Sequence, residues 1–237
     1  MELLAFLAVA FCGSLVSSVF GLGSGFIVLS LGSLLLPLKD CIALTTILFT
    51  ASTFTKAYIY RRDINWRLSR IIALGSIPFA WLGAETLAVI DPAPLKPILA
   101  GFIIVSVIIN QLGLRLTLPH TTTVAISVSA AYGFLSGLLS SGNPIKALAM
   151  ERMGFEKQAF IGAMAATALG VNITKLLSYS DNQILRPEHL PTGIGLVIIA
   201  IFSALFGKRL VTHIPEGRYK QGLSIILILS ASALILK

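Results

Sequence analysis

The chain has 237 residues, of which 56% are hydrophobic and only 12% charged, and its formal net charge is +8. A soluble domain carries roughly 25% charged residues, so one water-soluble core is excluded as the place for this much apolar surface, and lipid must solvate much of it. The Lys and Arg residues sit between apolar runs, where they read as topology signals rather than as contacts to nucleic acid.

Met1-Glu2-Leu3-Leu4 lacks the basic n-region of a cleavable signal, so the first apolar segment is expected to belong to the mature protein. Residues 2–36 are apolar almost throughout and are interrupted at Gly21-Leu22-Gly23-Ser24-Gly25. Plain membrane spans are predicted near 41–60, 68–90 and 95–112. A second long apolar stretch, 121–154, is interrupted at Ser140-Ser141-Gly142-Asn143-Pro144, and plain spans follow near 158–178, 190–206 and 221–236. A continuous helix of about 34 residues would be ~51 Å long, against a hydrocarbon core of ~30 Å. Each long stretch must therefore break at its glycines or proline. It forms either a re-entrant hairpin or two tilted crossings, an even number of passes in both cases.

The halves match without a gap at a spacing of 119. Gly23, Ser24 and Gly25 fall on Gly142, Asn143 and Pro144, Ser17 on Ser136, Leu29 on Leu148, and Tyr60 on Tyr179. Thr55-Lys56 falls on Thr174-Lys175, and Arg67 on Arg186. Each half then holds an even-pass unit and three plain spans, an odd total, so the second half enters from the opposite side. The expected fold is an all-α membrane protein with an inverted-topology repeat. It forms a single transmembrane domain over 1–237, with repeats of about 1–118 and 119–237.

The charges agree with hairpins and a cytoplasmic 61–70 loop. Arg61, Arg62, Arg67, Arg70, Arg115, Lys146, Arg152, Lys157, Lys208, Arg209, Arg218 and Lys220 are then inside, against Lys39, Lys96, Arg186 and Lys237 outside. Lys56 and Lys175 are assigned to the membrane.

The Gly-Leu-Gly-Ser-Gly break resembles the glycine signature of the TauE/SafE family of sulfite exporters. The loop Arg61-Arg62-Asp63-Ile64-Asn65-Trp66-Arg67 and the second glycine motif, Gly133-x-x-x-Gly137 before Ser140-x-Gly142-Asn143-Pro144, are similar to that family's as well. The resemblance implies transport of sulfite or small organosulfonates across a bacterial-type inner membrane. The triplets here depart from plain glycine by Ser24, Asn143 and Pro144, which points toward a different anion from the family's better-known ones.

A helix break leaves backbone N–H groups that hydrocarbon cannot satisfy, and with the positive end of the helix dipole they suit an anion. Gly23, Ser24 and Gly25 are expected to bind one side of a small anion near the bilayer midplane, and Gly142, Asn143 and Pro144 the other. The competing reading is close helix packing through small residues. Lys56 and Lys175 would attract the anion at opposite entrances, unless they snorkel to the nearer interface. Thr45, Thr46, Ser52, Thr53, Thr55, Asn172 and Thr174 can complete its hydrogen-bond shell or bond their own helix.

Glu85 is expected at the outer interface, and Asp91-Pro92-Ala93-Pro94 in a turn. Trp66, Trp81, Tyr58, Tyr60 and Tyr219 are expected in interfacial belts. Cys12 and Cys41 form no disulfide framework, and His120, His189 and His213 stand alone in loops, so no metal site is predicted. No cofactor motif is present. No nucleophile–base pair, acidic dyad or phosphate-binding loop speaks for an enzyme or an ATP-driven pump. A passive anion channel and a membrane scaffold are the alternatives. The expected partners are a small anion and the lipid bilayer, with no nucleic acid, and the apolar surface permits a homodimer.

Overall fold

The computed structural model describes residues 2–21, 24–91, 93–95, 97, 98, 101, 105, 122–140, 143, 146, 147, 150 and 157–214. Among them are seven long helices and no strand: α1 Glu2–Phe20, α2 Ser24–Leu35, α3 Leu38–Ile59, α4 Trp66–Val89, α5 Thr122–Leu139, α6 Lys157–Asp181 and α7 Leu190–His213, with a 3-10 turn at Pro187–His189 before α7. Five helical stretches are long and apolar enough to cross a membrane: Glu2–Phe20, Leu38–Ile59, Trp66–Val89, Gln158–Asp181 and Pro187–His213. The spans expected near 95–112 and 221–236 lie mostly or wholly outside the described residues.

Local chemistry sets the helix ends. Gly21 closes α1 at φ +78 with its N–H on the Ser17 carbonyl, the left-handed stop that glycine adopts without a Cβ clash. Pro37 precedes α3, and the Asn65 side chain caps α4 by accepting from Leu68 N–H at 3.2 Å. Asp91 accepts from Ala93 N–H at 2.9 Å, the turn expected there.

α1 and α2 fold back on each other. Phe6, near the start of α1, packs beside Gly32, near the end of α2, and Val28 packs beside Gly13. α2 has 12 residues, about 18 Å of helix and too short to cross alone.

α3 and α6 lie side by side and antiparallel. Asp40 at the start of α3 pairs with Arg186 beyond the end of α6 at 2.9 Å, while Tyr60 and Ile64 beyond the end of α3 meet Gly162 at the start of α6. α5 packs on α4 and α1 on α7, both by close backbone approach. A Cβ at Gly137 would overlap the Ala80 carbonyl, and one at Gly207 would meet Ser18.

Helix ends recur along the chain. α1 ends at Phe20 and α5 at Leu139, 119 apart. The spacing then changes: Trp66 and Val89, the ends of α4, fall on Leu190 and His213, the ends of α7, at 124. Buried Ser69, Ile72, Ser76, Ala80, Gly83 and Leu87 of α4 fall at this spacing on buried Gly193, Leu196, Ala200, Ala204, Gly207 and Val211 of α7. The helix ends therefore do not keep the gapless spacing of 119 expected from the sequence: the segment between α6 and α7, where Gln183 has φ +57 and the 3-10 turn forms, is longer than that between α3 and α4. The pairing of Arg67 with Arg186 falls with it, because Arg67 is in the first turn of α4 and Arg186 caps the 3-10 turn.

Leu74, Leu82, Ile194, Ile198, Phe202 and Phe206 cover the outer faces of α4 and α7, suited to lipid. Tyr58, Trp66 and Trp81 are exposed, as a belt requires. Tyr60 is not: it is buried with Val19, Ile161 and Val211, because it turns inward at the end of α3. Tyr219 lies outside the described residues.

Candidate functional site

A small cavity lies between α1, α3, α5 and α6. Ser17 and Gly21 line it from α1, Phe49, Ser52, Thr53 and Lys56 from α3, and Tyr132, Ser136 and Ser140 from α5 and its end. Asn143 follows, with Met164, Ala165, Ala168 and Asn172 from α6. Its free volume is about 30 Å³, room for about two waters or a small ion. Pairs of lining residues lie 119 apart in the chain: Ser17 and Ser136, Gly21 and Ser140, Phe49 and Ala168. Thr53 and Asn172 touch directly, the Asn172 amide donating to the Thr53 hydroxyl at 3.2 Å.

Three lysines surround the cavity, and all are buried: Lys56 at 4%, Lys146 at 0% and Lys175 at 0% exposure. Lys56 donates to Ser17 Oγ at 3.0 Å. Lys175 donates to Ser140 Oγ at 2.9 Å, and that hydroxyl also bonds Thr46 at 2.9 Å. Lys146 donates to Tyr132 OH at 3.1 Å and to the Met164 carbonyl at 2.9 Å. Every acceptor is neutral, and among the described residues no carboxylate pairs with any of the three. Uncompensated buried ammonium groups are costly, so this is where a negative charge would be best received. Ser52 lines the same cavity, and its buried Oγ has no hydrogen-bond partner among the described residues.

The sequence-predicted residues divide. Lys56, Asn172, Ser52, Thr53 and Asn143 line the cavity, and Lys175 reaches its wall through Ser140. Lys56 and Lys175 do not snorkel; each turns inward to a serine. Thr55 and Thr174 bond the carbonyls of Ala51 and Gly170 in their own helices, and Thr45 bonds Ile42; none of the three lines the cavity. Gly25 is buried in the first turn of α2. Gly23, Gly142 and Pro144 lie outside the described residues, and of Ser24 the structure describes the backbone at the start of α2.

Lys146 is the residue that sequence reasoning misplaced. The sequence counts it among the charges on the inside as a topology signal, whereas it is fully buried against Tyr132 and Met164. The signal that could have found it is its position only three residues after the Asn143 break. Glu85 also differs from expectation: it is half-buried, and its Oε1 accepts from Ser178 at 2.8 Å and Asn182 at 3.0 Å.

Over 92% of its length the chain is 26% identical to a protein named as a probable membrane transporter of Methanocaldococcus jannaschii, covering 90% of that protein. No solved structure matches the chain. The model of the family described as sulfite exporter TauE/SafE matches residues 6–234, and so the chain, a multi-pass helical membrane protein with a cationic cavity between its helices, belongs to the TauE/SafE sulfite exporter family.

Proposed function

We propose that the protein is a secondary carrier of a small anion, sulfite or a related organosulfur anion, in a bacterial-type inner membrane. The anion binds between the two helix breaks, near the middle of the bilayer. The observation that carries this reading is the set of three buried lysines around one cavity, each bonded among the described residues to neutral acceptors only. Lys56 and the orphan hydroxyl of Ser52 meet the anion directly, Lys175 acts through Ser140, and Asn143 and Asn172 complete the shell. Gly23, Ser24, Gly25, Gly142 and Pro144 shape the two breaks that bracket it. The fold is an inverted repeat with re-entrant first units. The antiparallel run of α3 and α6, the recurring helix ends and the contact of Thr53 with Asn172 support that reading, since equivalent residues meet only at a pseudo-twofold axis.

Sulfite influx into proteoliposomes, with sulfate, chloride and methanesulfonate as competitors, tests the function. Saturable flux is expected, accelerated by anion on the far side, as a carrier requires and a channel does not. Lys56→Met removes a charged hydrogen-bond donor and is expected to lower flux about 10- to 100-fold. Wild-type flux from folded Lys56→Met and Lys175→Met proteins would move the site elsewhere. Linear flux indifferent to anion on the far side would make the protein a channel.

A further inference from the structure

Lys146 breaks the symmetry of the site. At a spacing of 119 it falls on Ile27, and Tyr132 falls on Gly13. In the first half the two positions are an apolar contact, with Ile27 Cβ 3.5 Å from where a Gly13 Cβ would stand. In the second half they place an ammonium over a phenol: Lys146 Nζ is 4.2 Å from the Tyr132 ring centroid. Tyr132 and Met164, its two partners, both line the cavity, so Lys146 stands directly behind the cavity wall.

Among the described residues, the groups that face it are cationic or neutral. Lys56 of α3 and Lys175 of α6 both act on it electrostatically, Tyr132 of α5 and the Met164 carbonyl of α6 hold it, and the Ser17 and Ser140 hydroxyls are taken by the other two lysines. Glu85, the acid of α4, accepts from Ser178 and Asn182. Three ammonium groups around space for about two waters are tolerable only with a negative charge among them. A lysine, unlike an arginine, can meet that condition by giving up its proton when the anion is absent.

We propose that Lys146 is the coupling residue of the carrier: it takes up a proton when the substrate anion binds and releases it when the anion leaves. The inference rests on the anion-carrier reading above. In the loaded site Lys146 is an ammonium, donating to Tyr132 OH and the Met164 carbonyl while the anion balances its charge. In the empty site it is an amine that accepts from Tyr132 OH and still donates to Met164. The proton comes from water on the side where the anion enters and returns to water on the side where it leaves. Only an N–H bond forms and breaks, and each anion travels with a proton.

The test uses the full chain in proteoliposomes with an entrapped pH dye, the membrane potential clamped by potassium and valinomycin. The probe is methanesulfonate, whose acid is fully ionised and carries no proton of its own. An inward gradient is expected to acidify the lumen in step with tracer influx. Lys146→Arg keeps its charge in both states; it is expected to bind methanesulfonate, seen as a ligand-dependent rise in Tm, and to acidify the lumen roughly tenfold more slowly or worse. Wild-type tracer influx without acidification overturns the role of Lys146 and leaves the anion carrier standing. Acidification by Lys146→Arg at the wild-type rate overturns it too. Absence of tracer influx in folded wild-type protein overturns both readings.

Discussion

Gly21 after α1 and Ser140 after α5 share a backbone conformation and differ in chemistry: both have left-handed φ, +78 and +53. Glycine adopts that conformation freely, whereas a serine there is strained by about 1–3 kcal/mol. The hydroxyl that glycine lacks bonds Lys175 and Thr46, so the second break carries strain together with a polar contact that the first does without. The same contrast holds one layer out, where Gly13 and Ile27 pack dry and Tyr132 and Lys146 place a cation. The end of α1 offers the cavity no side chain at Gly21, whereas the end of α5 offers the Ser140 hydroxyl and, behind Tyr132, Lys146, so a single cavity is surrounded by unlike groups.

The largest expected effect tests whether the scaffold is shared. Gly137→Leu drives a side chain into the α4 backbone at Ala80 and Ala84, and Gly207→Leu drives one into α1 at Ser18. Overpacking against backbone that cannot move is expected to cost more than about 3 kcal/mol in each case. Both proteins should aggregate on detergent extraction, as size-exclusion chromatography would reveal. A monodisperse Gly207→Leu protein beside an aggregated Gly137→Leu protein would show that the two helix interfaces are not equivalent.

An exchange at the breaks has an intermediate effect and sharpens the contrast. Ser140→Gly relieves the left-handed strain but removes a bond to a charged donor worth about 1.5–3 kcal/mol, so a net loss of roughly 1 kcal/mol is expected in chemical unfolding. Gly21→Ser gains strain with no lysine bond to offset it, and Phe160 stands 3.2 Å from the added Cβ. Its loss should be the larger, about 2 kcal/mol. The reverse order would mean that the Ser140 hydroxyl does not hold Lys175.

The smallest effect belongs to the surface. Asp40 pairs with Arg186, which is 43% exposed, so Asp40→Asn is expected to cost under about 1 kcal/mol and less at high salt. A larger shift in Tm would make this link between α3 and the segment after α6 a structural tie in its own right.

Much of the architecture was legible because it is written locally. Runs of apolar residues longer than a bilayer is thick must break, and glycines show where. α3, α4, α6 and α7 follow from hydropathy and length, and the pairing of Lys56 with Lys175 from simple spacing. The shift from 119 to 124 escaped, because a few extra polar residues between spans leave no hydropathy signal and show themselves only when helix ends are seen. Thr55 and Thr174 resemble their cavity-lining neighbours in composition. Which side of a helix faces a cavity is not visible when every side is apolar or small.

The sequence by itself determined that this chain lives in lipid, that its first long apolar stretch stops at Gly21, and which family it resembles, because solvent preference and backbone permissiveness are properties of residues and their immediate neighbours. Only the tertiary structure decided that Lys146 joins Lys56 and Lys175 around one cavity rather than counting among the charges on the inside. Its burial depends on Tyr132 and Met164, 14 and 18 residues away along the chain, and a charge's cost or use is set by the groups that surround it in space.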